Sequence, residues 1–243
     1  MKIGLFIPCY IDQFYPNVGI STLAILEKLG HEVEYPENQT CCGQPMANAG
    51  YASLTSNLNK LFDKNFSDFD AVVAPSGSCV LHIHEHSEVK DSLKIKTWEL
   101  CSFLDHHHKP EDLISVFPHR VALHQSCHGL RGLRLASSSE LVIEPFSIVE
   151  KWLNRVDGLQ LVKLNRADEC CGFGGTFAVQ EESVSICMGN DRLKDFLNHN
   201  TEVVTATDMS CLMHLEGLAK RQKLQLRFKH IAEILSVNIK VNK

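Results

Sequence analysis

Cys-Cys-Gly occurs twice in the chain, in "TCCGQP" around residues 41–43 and in "ECCGFGG" around 170–172, and the sequence repeats itself around each copy. "KIGLFIPCY" (2–10) matches "RVALHQSCH" (120–128), and each short apolar segment ends in a cysteine, Cys9 or Cys127. Helical periodicity comes next at 18–31 and 146–158, with Gly30 and Gly158 as stop signals. A second short strand succeeds it (31–36 and 159–165), then the doublet, then another helix (51–65 and 183–199). The third strands, "FDAVVAPSGSC" (69–79) and "TEVVTATDMSC" (201–211), again end in cysteines, Cys79 and Cys211, and after two intervening residues each is followed by histidine, His82 or His214. Both tails (96–104 and 228–236) read as a short strand leading into a helix. A pattern that repeats order, doublet, glycine and terminal C-x-x-H constrains the chain to a duplicated fold.

Strands alternating with helices predict βαβ units, hence an α/β fold of two duplicated repeats with parallel sheets, over residues 1–118 and 119–243. In such sheets ligands bind at the carboxyl ends of the strands. Cys9, Cys79, Cys127 and Cys211 fall at predicted strand ends, and the doublets Cys41-Cys42 and Cys170-Cys171 follow the middle strands. Each half is therefore expected to bring four thiols to a crevice of its own. The other two of the 10 cysteines, Cys101 and Cys187, sit in helical patterns and are expected to be buried and inert.

The net charge of −5 gives no basic surface for nucleic acid. "AKRQKLQLRFKH" (219–230) reads as a solvated helix face. The N-terminal apolar run ends at Pro8-Cys9 without a cleavage pattern, and no run is long enough to span a membrane. Many cysteines without a secretory signal point to a reducing, cytoplasmic setting, where they bind metal or react rather than cross-link. Sets of four thiolates select zinc, Cu(I) or iron–sulfur clusters. The ligands are widely spread, unlike compact zinc knuckles, and successive side chains of an extended doublet diverge, which favours a polynuclear centre. Gly43 and Gly172 let the backbone approach and aim N–H groups at sulfur.

The order C…CC-G…C-x-x-C, read on Cys9, Cys41-Cys42-Gly43, Cys79 and on Cys127, Cys170-Cys171-Gly172, Cys211, resembles the CCG (cysteine-rich) domain family. That family includes heterodisulfide reductase B subunits and iron–sulfur subunits of glycolate and glycerol-3-phosphate oxidation. The compact form with two repeats and no ferredoxin domain is similar to its lactate-utilisation branch, over essentially the whole chain. The resemblance implies up to two iron–sulfur clusters of 4Fe–4S type on those eight cysteines. It further implies an electron-transfer role in oxidising L-lactate to pyruvate alongside two further lactate-utilisation subunits, one bearing ferredoxin-type clusters. The departure from the family pattern is His82 and His214 in place of the last cysteine of C-x-x-C, which makes both candidate additional ligands. Two alternatives stay open: a thiol or heterodisulfide reductase component, and a zinc-binding interaction module.

The remaining histidines and arginines read more plainly. "HIHEH" (82–86) beyond His82 and "HHH" (106–108) are expected to be solvated surface and exposed linker. His128, Arg131 and Arg134 are candidate anion contacts beside Cys127, weighed against ordinary helix-surface positions. "GFGG" at 172–175 lacks the spacing of a dinucleotide fingerprint.

Overall fold

The computed structural model describes residues 1–241. The first half forms a parallel sheet of β1 (Lys2–Leu5), β2 (Glu32–Glu34), β3 (Ala71–Ala74) and β4 (Thr97–Glu99) in the order β2-β1-β3-β4. A short strand, β5 (Leu113–Ile114), comes after it. The second half repeats the sheet with β6 (Arg120–Leu123), β7 (Gln160–Val162), β8 (Val203–Ala206) and β9 (Arg227–His230) in the order β7-β6-β8-β9. The last strand, β10 (Lys240–Val241), returns to pair antiparallel with β5.

The sequence explains these elements locally. Every residue of the inner strands "AVVA" (β3) and "VVTA" (β8) is buried, as expected where helices cover both faces of a parallel sheet. Edge strand β2 exposes both its glutamates. The helix Pro16–Lys28 starts with proline, whose missing N–H costs nothing there, and the chain turns at Gly30 with φ +86°. Ser76 caps the helix Gly77–Glu85 through the Cys79 N–H, and Ser147 caps Ile148–Leu153 through the Glu150 N–H.

The halves pack as an internal pseudo-two-fold dimer. Helix Pro16–Lys28 lies against Ile231–Leu235, and the related pair is Leu100–His107 against Ile148–Leu153. Likewise helix Gly77–Glu85 meets the π-turn His128–Gly132, while Cys9–Phe14 meets Met209–Arg221. Contacts that come in such reciprocal pairs are isologous. One apolar core runs through both halves, with Ile3, Leu26 and Phe103 in the same cluster as Trp152, Phe196 and Ile234. Close approach is permitted by glycine: a Cβ on Gly132 would lie 2.2 Å from Leu81 Cδ2 of the other half. At the centre the buried Asp208 carboxylate accepts from the Ser78 N–H (2.8 Å) and Ser76 hydroxyl (3.3 Å) of the first half and from Ser126 (2.5 Å) of its own. A second-half side chain thus serves the amino end of a first-half helix.

Three expectations are corrected. Cys101 is fully buried, but Cys187 is exposed, because it falls on the outer face of helix Glu182–Asn198. The 106–108 histidines are not linker. His106 and His107 end helix Leu100–His107, His106 stacks on Trp98 (4.9 Å), and the half-buried His108 meets His31 Nε2 to Nε2 at 2.7 Å. The basic stretch 219–230 is a helix face only to Arg221; its end supplies β9, in line with the strand expected from residue 228.

Candidate metal centres

Each lone cysteine lies just past a strand, at the first turn of the next element. Cys9 opens the helix Cys9–Phe14, Cys79 and Cys211 are third in the helices Gly77–Glu85 and Met209–Arg221, and Cys127 immediately precedes the π-turn. These four and the two doublets do not occupy separate crevices. All eight thiols line one cavity of about 540 Å³, together with Tyr10, Gln44 and His128. The pseudo-two-fold turns the strand ends of both halves toward each other, so the two predicted crevices merge.

Within each set the doublet diverges as an extended pair should. Cys41 Sγ lies 3.8 Å from Cys9 Sγ, while the buried Cys42 turns to Cys79, 3.2 Å away. In the second half Cys170 pairs with Cys127 and Cys171 with Cys211. The glycine after each doublet is left-handed, with φ +94° at Gly43 and +87° at Gly172. That conformation brings its N–H to the first doublet sulfur, 3.4 Å from Cys41 and from Cys170. These bonds stabilise anionic sulfur, and sulfur crowding sharpens the effect. Hydrogen bonds from Cys42 and Cys9 hold the Cys41 thiol far below the ordinary range, and those from Cys127 and Cys171 do the same for Cys170. Their donors Cys9, Cys42, Cys127 and Cys171 are held up in consequence, with burial adding to it. Thiols paired closely, partly dehydrated and with one of each set held low suit a soft cationic centre.

Two contacts cross the cavity in a related pair. The residue after the first lone cysteine of each half reaches the residue after the other half's Cys-Cys-Gly: Tyr10 meets Phe173 edge-on at 6.2 Å, and His128 meets Gln44 Nε2 at 3.3 Å. His128 is therefore a cavity residue. Arg131 instead turns to Glu140 and Asp168, and Arg134 is a non-glycine residue at φ +53° outside the cavity lining.

His82 and His214 stand behind the doublets and do not line the cavity. His82 is buried with both ring nitrogens unpartnered among the described residues, and its Nε2 would lie 3.5 Å from a Cβ on Gly43. His214 lines a separate, smaller pocket with Phe173, Ser185 and Arg221. Sequence reasoning missed His124, which is fully buried at the end of β6. One ligand atom each from His124, Cys171 and Cys211 lie within 4.8 Å of one another. The signal was present in the repeat, because the matching residue, three before Cys9, is Phe6.

The donor chemistry and the orphaned ring nitrogens of His124 fit a metal or metal–sulfur group. Comparison with known proteins agrees with the thiol frame. The CCG cysteine-rich domain model matches residues 3–84 and again 121–216. "Lactate utilization protein A" of Halalkalibacterium halodurans is 39% identical over 246 residues, covering 97% of this chain and 97% of that protein. The protein of the same name from a Geobacillus species is 38% identical, covering 97% and 99%.

Proposed function

The chain belongs to the cysteine-rich CCG domain family, and from that premise we propose that it is the iron–sulfur electron-transfer subunit of an L-lactate-oxidising system. The observation that carries this reading is the convergence of two four-thiol sets on one cavity, each doublet split between two partners. Cys9, Cys41, Cys42 and Cys79 would hold one centre, and Cys127, Cys170, Cys171 and Cys211 the other. When bound, iron–sulfur centres of 4Fe–4S type supply one-electron acceptors and donors for the two electrons that lactate releases on becoming pyruvate.

The chain's own residues set the conditions for that chemistry. The Gly43 and Gly172 N–H groups favour extra negative charge on the sulfurs they face. Burial of Cys42 and Cys171 keeps water from the inner side of each set, while half-exposed Cys9, Cys41, Cys127 and Cys170 face the open side. Through that side electrons would pass to or from two further lactate-utilisation subunits, one carrying ferredoxin-type clusters. Among the described residues no helix is long and apolar enough to cross a membrane.

The test is iron and acid-labile sulfide per chain after anaerobic purification, with electron paramagnetic resonance before and after reduction. Matching iron and sulfide with a redox-responsive signal is expected. Zinc without sulfide after iron-replete expression would sink the redox reading and leave a structural zinc module.

A further inference from the structure

The two thiol sets are not equivalent, and the difference lies in the strand residue beneath them. In the first half that residue is Phe6, packed edge-on against Phe62 (5.2 Å) and Phe66 (5.8 Å), with no donor to offer. In the second half it is His124, 1% exposed, and among the described residues neither of its ring nitrogens has a hydrogen-bond partner. His82 of the first half is a buried imidazole equally without partners, but of the two only His124 is grouped with cysteine sulfurs among the described residues, so its position calls for a partner at those sulfurs. The same side chain brings a ring nitrogen within 4.8 Å of the Cys171 and Cys211 sulfurs.

Arg192 is a second sign. It is fully buried over the Phe196 ring (4.9 Å) and gives Nη1 to the Arg166 carbonyl (2.6 Å) and Asp195 (3.3 Å). Its Nε and Nη2 have no partner among the described residues. Its charge is already met by Asp195 and by Glu169 (3.8 Å), so it is the two free donors that call for a further acceptor.

We propose that His124 is a ligand of the second metal centre, joining Cys171 and Cys211, so that the first centre is all-thiolate and the second mixed thiolate–imidazole. The inference rests on the metal-centre reading of the cavity. His124 adds a neutral donor to the four thiolates of the second set and replaces none of them, so the two centres differ in donor set at equal thiolate charge.

The test uses full-length protein isolated anaerobically with its histidines labelled by nitrogen-15. Hyperfine spectroscopy of the reduced protein is expected to show a coupled histidine nitrogen. His124→Phe, which copies the first half, should abolish that coupling and spare the first centre's iron; His82→Phe and His214→Phe should keep it. No coupling in the parent chain, or coupling that survives His124→Phe, overturns the proposal. Should His124→Phe fail to fold, His124→Gln keeps a buried polar side chain and must show the same loss. If the chain carries no iron, the iron–sulfur reading itself has failed, and the chain loaded with Co²⁺ decides the ligand question separately. A strongly shifted, solvent-exchangeable imidazole N–H that vanishes in His124→Gln supports the ligand, and an all-thiolate Co²⁺ spectrum or no bound Co²⁺ overturns it.

Discussion

Single residues decide how each doublet is held. Gly43 and Gly172 share a left-handed backbone that an L side chain adopts at a cost of about 1–2 kcal/mol, so alanine at either position is strained. The surroundings differ. A Cβ on Gly43 would meet the Thr55 methyl at 3.1 Å and its Cβ at 3.3 Å, contacts that a shift of a few tenths of an ångström relieves. On Gly172 it would lie 2.7 Å from the Ser185 carbonyl oxygen and 2.8 Å from Met188 Cβ, neither of which can move without shifting the helix Glu182–Asn198. Gly172→Ala is therefore expected to lower thermal stability and second-set metal content clearly more than Gly43→Ala lowers those of the first. Equal losses would show that backbone strain alone matters. The glycines were legible in the sequence as Cys-Cys-Gly. Their unequal surroundings were not, since Thr55 and Ser185 reach the loops only through the packing of other helices.

At the scale of elements, the strand-to-helix junctions carry the polar chemistry. Glu99 ends β4 and caps the helix Leu100–His107, its Oε2 accepting from the Cys101 N–H (2.7 Å) and the Ser102 N–H (3.1 Å). His230 holds the matching place before Ile231–Leu235 and caps it through the Ala232 N–H. Glu99 is completely buried, and its pKa is raised to about 8 by burial, against the helix-cap bonds that pull it down. The fold therefore keeps a proton that the unfolded chain releases near the ordinary glutamate value of 4.5. The stability tied to this group is full below that pH and is lost as pH rises toward about 8, a range of a few kcal/mol at most. Glu99→Gln, which cannot ionise, should match the parent at about pH 5 and exceed it at about pH 8.5. Denaturant midpoints across that range, in the same metal state, check it; a constant difference would refute a buried protonated Glu99. The strand–helix alternation itself was readable, because β-branched runs and amphipathic periods mark it along both halves. The 219–230 segment is helical only to Arg221, and its last residues form the edge strand that the reading of 228–236 as strand then helix expected.

For the whole molecule, the common core and the return of β10 to β5 tie the halves into one cooperative unit. Expressed apart, segments 1–118 and 119–243 would each expose the face that buries residues such as Leu26, Phe103, Trp152 and Ile234. We expect neither to reach its native circular dichroism alone, and the intact chain to unfold in a single transition; two resolved transitions would show independent halves. By itself the sequence determined the duplication, the parallel α/β class and the eight cysteines that belong together, because strand and helix periods, turn glycines and ligand order are local properties. Only the tertiary structure decided that the two sets face one cavity, that His82 and His214 stand outside it, and that His124 lies under the second set where Phe6 lies under the first. Those facts depend on how two sheets are turned about their shared axis. That rotation is fixed by reciprocal helix contacts between residues far apart in the chain, which no local pattern records.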